Sequence, residues 1–366
     1  MPSPRLSFAL HEHVALHTLT TLGVGGAARW YAKAETADDV RAIHQWCADR
    51  RVPLFVLGGG SNLVIADEGF NGMVLFMAAT GITTTDTGNG AIVSAGAGES
   101  WDTLVESAVT RGLSGVECLS GIPGTVGGTP IQNVGAYGQE VAAVIERVVA
   151  FDRVRSEWTE LGAVECGFSY RMSRFKAGDA GRFIVCGVSF RLTRSTPVLT
   201  YPELVGEMEK RGDTDPRPSD VRSAVLTIRR RKGMVLDAKD PDTRSVGSFF
   251  MNPVVTLEER DRLATLAGDR VPGFGTADGR VKIPAAWLIE RAGMRKGFGA
   301  STVGLSTKHP LAIVNRGGAT AHDVVQFAVQ IKRAVVDWSG VWLRPEPVFI
   351  GFDENEDVNF LQKARG

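Results

Sequence analysis

Gly121-Ile122-Pro123-Gly124-Thr125-Val126-Gly127-Gly128-Thr129-Pro130-Ile131-Gln132-Asn133-Val134-Gly135-Ala136-Tyr137-Gly138 shows neither a helical nor a strand period. A stretch this long of Gly, Pro, Thr, Asn and Gln inside a compact protein marks a functional loop system. Its glycines let backbone N–H groups converge on an anion with no side chain in the way. Upstream, Gly58-Gly59-Gly60-Ser61-Asn62 offers the same opportunity, and the Ser, Thr and Asn side chains of both clusters add neutral donors. Together they can hold a diphosphate without Lys or Arg. Two tight hairpin turns would explain either cluster alone; two clusters plus a long polar loop favour a ligand.

Around these loops the pattern alternates between short strands and helices. Thr36 with Asp39 predicts a helix start, and Val40, Ile43 and Cys47 carry it over 37–50. Strands are predicted at Leu54–Leu57, Val74–Met77, Ala91–Ser94, Val148–Phe151 and Phe183–Leu192, and Ser100 is predicted to cap a helix ending at Gly112. Gly, Asp, Pro and charged residues dominate 206–220, which suggests a domain boundary. Beyond it, Ser219 is expected to cap a helix to Lys232, and Pro284 to open one that ends at Gly293. Thr320 to Ser339 reads as the clearest helix, with Val324, Phe327, Ala328, Ile331 and Val335 on one face and Gly340 at its end. A last strand, Val348–Ile350, is expected to return to the first domain.

At 366 residues the chain is long enough for two or three domains, and 41 Lys+Arg against 41 Asp+Glu leave no electrostatic footprint for nucleic acid or an acidic membrane. The opening Met1 to Phe8 lacks the apolar run of a secretory signal and no stretch is long enough to span a bilayer, so a cytoplasmic location is expected. Cys47, Cys118, Cys166 and Cys186 are widely spaced among apolar neighbours and read as reduced core thiols.

Two motifs invite other functions. Gly23-Val-Gly25-Gly26-Ala-Ala28 has the spacing of a dinucleotide fingerprint, but Arg29 to Lys33 after it reads as a strand where a helix is required. His11, His13 and His17 lack a zinc-ligand spacing, and no metal is expected. Neither a nucleophile-elbow serine motif nor a P-loop is present.

The ordered set Gly58–Asn62, Ile122–Gly138, Tyr170-Arg171-Met-Ser-Arg-Phe-Lys176, Gly247-Ser248-Phe-Phe-Met-Asn252-Pro253, Ile283–Ile289 and Glu346 in Arg344–Gly351 resembles the UDP-N-acetylenolpyruvoylglucosamine reductase family over most of the chain. Pro197–Leu204, containing Tyr201, is similar to the loop of the subclass whose tyrosine folds over substrate. The resemblance implies an α+β fold: a two-subdomain FAD-binding module of the vanillyl-alcohol-oxidase type and a smaller α/β substrate-binding domain. The module is expected over 1–205, in subdomains of about 1–75 and 76–205 completed by 342–366, and the substrate domain over 206–341.

What the resemblance implies chemically is NADPH-dependent, FAD-mediated reduction of an enolpyruvyl ether on a UDP-sugar, a step of peptidoglycan precursor synthesis. Noncovalent FAD would be held by Gly58, Gly59, Gly60, Ser61, Asn62, Gly121, Ile122, Pro123, Gly124, Thr125, Gly127, Gly128, Asn133, Gly135, Ala136 and Tyr137. Ser248 would donate the proton, and Arg171 and Glu346 would act on the substrate carboxylate. Tyr170, Tyr201, Lys232 and Asn252 would bind substrate. The partners expected are small molecules and the working form a monomer. The enzyme alternative is a flavin oxidase of the same superfamily acting on an alcohol or 2-hydroxy acid, and the non-enzyme alternative is a flavin-binding sensor.

Overall fold

Thr36 and Ser100 begin helices where the sequence predicts them. In the computed structural model, which describes residues 6–212 and 214–364, the Thr36 hydroxyl accepts the Asp39 N–H at 3.1 Å and the Asp39 carboxylate accepts the Thr36 N–H at 2.9 Å. This capping box starts α1, Ala37–Arg50. Ser100 caps α2, Trp101–Thr110. Met1 to Arg5, part of the segment read for a signal, and residue 213 in the expected linker lie outside the described residues.

The chain forms two compact units. The first comprises 1–14, 28–60 and 71–235. It holds a four-stranded sheet in the spatial order His11–Ala15, Ala27–Ala34, Phe70–Met77, Leu54–Leu57, the last two parallel. It also holds an antiparallel five-stranded sheet in the order Glu157–Gly162, Ile145–Asp152, Phe183–Thr193, Gly90–Gly96, Ile82–Thr87. One core joins them: Val40, Ile43 and Cys47 of α1 bury with Met73 and Leu75 of one sheet and with Phe151, Ile184 and Phe190 of the other. Cys47, Cys118 and Cys166 are buried free thiols, as read.

One short helix, α3 (Gly128–Gln132), and a two-residue strand, Gly135–Ala136, paired with Gln139–Glu140, interrupt the long polar loop. The 206–220 segment differs from expectation. It is mostly helical: α4 spans Pro202–Arg211 and α5 spans Pro218–Arg231. Their apolar sides, Leu204, Met208, Val221, Ala224, Val225 and Ile228, bury against Cys118. Both helices therefore fold with the first unit, and the division of the chain falls at 235/236, not within 206–220. Ser219 is not the cap of α5. Pro218, which lacks an N–H, takes the first helical position, so Arg217 is the cap and its N–H donates to Asp220 at 3.0 Å.

The second unit gathers 15–27, 61–70 and 236–366, so 342–366 joins this unit and does not complete the first. Val348–Ile350 does return to an N-terminal segment, pairing in parallel with Leu63–Ile65, but that segment itself folds here. The helices are α6 (Leu257–Ala267), α7 (Ala285–Arg291, capped at Pro284), α8 (Ala321–Ser339) and α9 (Glu356–Gln362). The buried stripe of α8 centres the core, and the wholly buried Lys332 on it donates to the carbonyls of Phe360, Leu361 and Lys363 at 2.8, 2.8 and 2.6 Å. These carbonyls lie at the C-terminal end of α9, where the helix runs out of its own donors; that of Phe360 also accepts the Lys363 N–H at 3.3 Å. Strand and helix are mixed throughout, as an α+β fold requires.

Candidate active site

In the first unit the two glycine clusters lie backbone to backbone. A Cβ on Gly59 would stand 2.6 Å from the Gly124 Cα, and one on Gly58 would stand 2.7 Å from the Thr125 hydroxyl. No other residue type permits this approach. The loop is fixed from the start of α2: Val126 N–H donates to Glu99 O at 2.9 Å, Gly127 N–H to Ala97 O at 2.9 Å, and Trp101 N–H to Gly124 O at 3.1 Å. Gly121 N–H donates to Asp102 at 2.6 Å, so that amide already serves a carboxylate of the chain. Burial alone would raise the Asp102 pKa, but the Arg222 fork at 2.6 and 2.9 Å and the Gly121 N–H outweigh it and hold it below the usual range. The clusters thus form a closely packed, uncharged stretch of backbone without side chains, the glycine cradle.

The remainder of the loop builds a second, charged locality. Asn133 is buried in a left-handed conformation, φ 45°. Its amide donates to Glu140 at 3.0 Å and Ser169 O at 2.9 Å and accepts from Ala142 N–H at 3.2 Å, so its side chain organises the loop. Arg171 donates to the carbonyls of Asn133 at 3.4 Å and Gly135 at 2.5 Å, which fixes the guanidinium plane, and it lies over the Tyr170 ring at 5.4 Å. A Cβ on Gly135 would meet Arg171 at 3.0 Å and Glu140 at 2.6 Å.

Tyr137, Tyr201 and Lys232 also converge. The two tyrosine rings meet edge to face at 5.4 Å, and Lys232 lies 5.9 Å over Tyr137 and pairs with Glu203 at 2.5 Å. Tyr201 stands at the start of α4 and Lys232 at the end of α5, so helix packing brings together residues far apart in sequence. Burial pushes the Tyr137 hydroxyl up to about 12, against the opposing pull of Arg229. Arg229 is the residue that sequence reading passed over, because Arg229-Arg-Arg-Lys232 resembles a solvated helix end. It donates to Met234 O at 2.7 Å, and among the described residues its buried Nε has no hydrogen-bond partner. An orphaned guanidinium donor beside the loop suits an anionic ligand.

In the second unit, Ser248 follows Gly247 and precedes Phe249, whose N–H donates to Leu311 O at 2.8 Å and whose carbonyl accepts the Glu346 N–H at 2.9 Å. Phe250 pairs with Pro345, and Met251 N–H donates to Arg344 O at 2.9 Å. Ser248 and Glu346 therefore ride on adjacent, paired segments, both half-buried. Asn62 joins them, donating to Glu346 O at 3.4 Å, and its own carbonyl accepts Val348 N–H at 3.0 Å. Asn252 Oδ1 accepts Ala285 N–H at 2.9 Å, so the side chain is oriented by the start of α7.

A family model described as the C-terminal domain of UDP-N-acetylenolpyruvoylglucosamine reductase matches 240–350, and one described as an FAD binding domain matches 28–155. A curated UDP-N-acetylenolpyruvoylglucosamine reductase of Thermobifida fusca is 47% identical over 94% of this chain and 98% of its own. The chain belongs to the UDP-N-acetylenolpyruvoylglucosamine reductase family. The reductase of Mycobacterium marinum is 45% identical over 93% of this chain and 95% of its own. The crystal structure of the reductase from Thermus caldophilus covers 94% of this chain and 99% of its own at 27% identity, with a TM-score of 0.62. Within this reductase family framework, the FAD-binding match spans both glycine clusters and the C-terminal match spans Ser248, Asn252 and Glu346. Arg171, Tyr201 and Lys232 fall between the two. Among the described residues no helix is long and apolar enough to cross a membrane.

Proposed function

We propose that the chain reduces UDP-N-acetylenolpyruvoylglucosamine to UDP-N-acetylmuramate, with FAD held noncovalently at the glycine cradle and NADPH as hydride donor. The observation that carries this reading is the pairing of Gly247–Met251 with Arg344–Glu346, which brings the backbone segments of Ser248 and Glu346 together, with Glu346 opposite Phe249, in a chain of this family. When bound, FAD supplies two-electron hydride transfer from NADPH to the terminal carbon of the enolpyruvyl ether. The contacts of Gly59 and Gly58 with Gly124 and Thr125 leave room for backbone against a diphosphate and none for a side chain.

The chain's own residues manage charge and the proton. Hydride delivery drives negative charge onto the neighbouring carbon and its carboxylate, and Arg171, its plane fixed by two carbonyls, receives that carboxylate. Ser248 gives its hydroxyl proton to the carbanionic carbon, with Glu346 orienting the carboxylate end. Lys232 and Tyr201 bind the nucleotide sugar, and the α4 start carrying Tyr201 closes over it. A monomer in the cytoplasm is the proposed working form.

The division of labour is testable by anaerobic stopped-flow of the two half-reactions. Ser248→Ala bleaches with NADPH at nearly the native rate but is reoxidised by substrate at least ~10²-fold more slowly, the low end of a general-acid contribution. Arg171→Lys loses the same half, since a point charge does not reproduce the fork. Reoxidation of Ser248→Ala at the wild-type rate removes Ser248 from the mechanism.

A further inference from the structure

The strand Leu54–Leu57 leads into Gly58–Gly60 at one end, and a separate cavity opens at its other end, roughly 13 Å away at ~3.3 Å per residue. This cavity measures ≈ 570 Å³, and among the described residues its wall carries Arg51, Arg153, Arg182 and His44 with no Asp or Glu. Arg182 is neutralised by Asp152 at 2.6 Å and Asp179 at 3.2 Å. Among the described residues no carboxylate pairs with Arg51 or Arg153. Arg153 donates to Gly181 O at 2.6 Å, and its buried Nε has no hydrogen-bond partner among those residues. A charged donor withdrawn from water without an acceptor is a destabilising arrangement that an anion would relieve.

Among the described residues none of the remaining groups facing the cavity carries a full negative charge, and only the partial charge at the C-terminal end of α1 opposes an anion. Burial, reinforced by the Arg153 cation, lowers the His44 pKa and leaves a neutral ring with a polar nitrogen. The Cys47 and Ala48 carbonyls at the end of α1 are engaged by Val52 N–H at 2.9 Å and Arg51 N–H at 3.2 Å. Val52, Val154 and Ala180 supply an apolar wall.

We propose that this cavity is a second ligand site that binds a small phosphate monoester, its dianion against Arg51 and Arg153 and its carbon body on Val52, Val154 and Ala180. Two uncompensated guanidinium groups match a dianion in charge, and their planar forks match phosphate oxygens in geometry. The volume fits a small metabolite better than an ion alone.

The test is isothermal titration calorimetry of the full FAD-loaded chain with phenyl phosphate and with inorganic phosphate, at ionic strength held constant with chloride. Saturable binding is expected, tighter for phenyl phosphate. Arg153→Gln and the exposed Arg51→Gln each weaken it at least ~10-fold, the loss of one charge-assisted contact. Lys232→Met, outside this cavity, leaves it unchanged. Arg51→Gln keeps the test valid should Arg153→Gln not fold. No saturable binding beyond the chloride control, or binding lost in Lys232→Met but kept in both arginine variants, overturns the site. Inorganic phosphate binding as tightly as phenyl phosphate overturns the monoester assignment.

Discussion

Gly124 has φ 122°, and its Cα lies where a Cβ on Gly59 would come within 2.6 Å. A branched side chain at 124 therefore strains the backbone at the point where it packs against Gly59. Gly124→Val is expected to fold but to lose the visible flavin absorbance, and full flavin occupancy in that variant would show that the cradle is not the cofactor site. The glycines, Arg171, Ser248 and Glu346 are marked in the sequence by their motifs, and the structure shows the close backbone approach of the two glycine clusters. Arg229 and Asp102 were not, since their significance comes from burial and from a hydrogen bond to Gly121 that no local pattern encodes. A second residue-scale consequence concerns acid. Arg182 hydrogen bonds hold the Asp152 carboxyl at about 2, with burial opposing them and the Val154 N–H assisting. Because the folded value lies below the unfolded one, near 3.8, this contribution is present above about pH 4 and lost as pH falls through about 2. Urea unfolding from pH 7 to pH 2 is expected to show wild type more stable than Asp152→Asn at neutral pH and the gap closing in acid; a gap independent of pH contradicts the assignment.

Elements that announce themselves locally were read correctly. The helix predicted over 37–50 is observed as α1, Ala37–Arg50, and α8 runs from the Thr320–Asp323 capping box to Gly340, because cap and apolar period agree. The helix running to Lys232 was foreseen and is α5, but 206–220 was misread as a domain boundary: its polar faces and the Gly-Asp-Thr-Asp-Pro break dominate the composition, while the few apolar residues that dock on Cys118 are sparse. The α8–α9 clamp gives a test at this scale. Lys332→Met removes the donor to three carbonyls and should cost about 3 kcal/mol at ~1 kcal/mol per lost bond. A urea-unfolding free energy unchanged from wild type would mean that Lys332 does not hold α9.

At the scale of the molecule, the second unit is assembled from 15–27, 61–70 and 236–366, and this discontinuity was invisible in the sequence. Leu63–Ile65 looks like any short strand until Val348–Ile350 pairs with it, and pairing across that separation is decided by packing and not by local propensity. The motif Gly58–Asn62 consequently begins in one unit and ends in the other. The central claim, that the bound flavin of this chain passes electrons from NADPH to an enolpyruvyl ether, is tested most directly by an anaerobic titration of the purified full chain. The flavin spectrum should bleach on adding NADPH and return to the oxidised form on adding UDP-N-acetylenolpyruvoylglucosamine. Reduced flavin that ignores this substrate and is reoxidised only by oxygen would contradict the account and favour an oxidase.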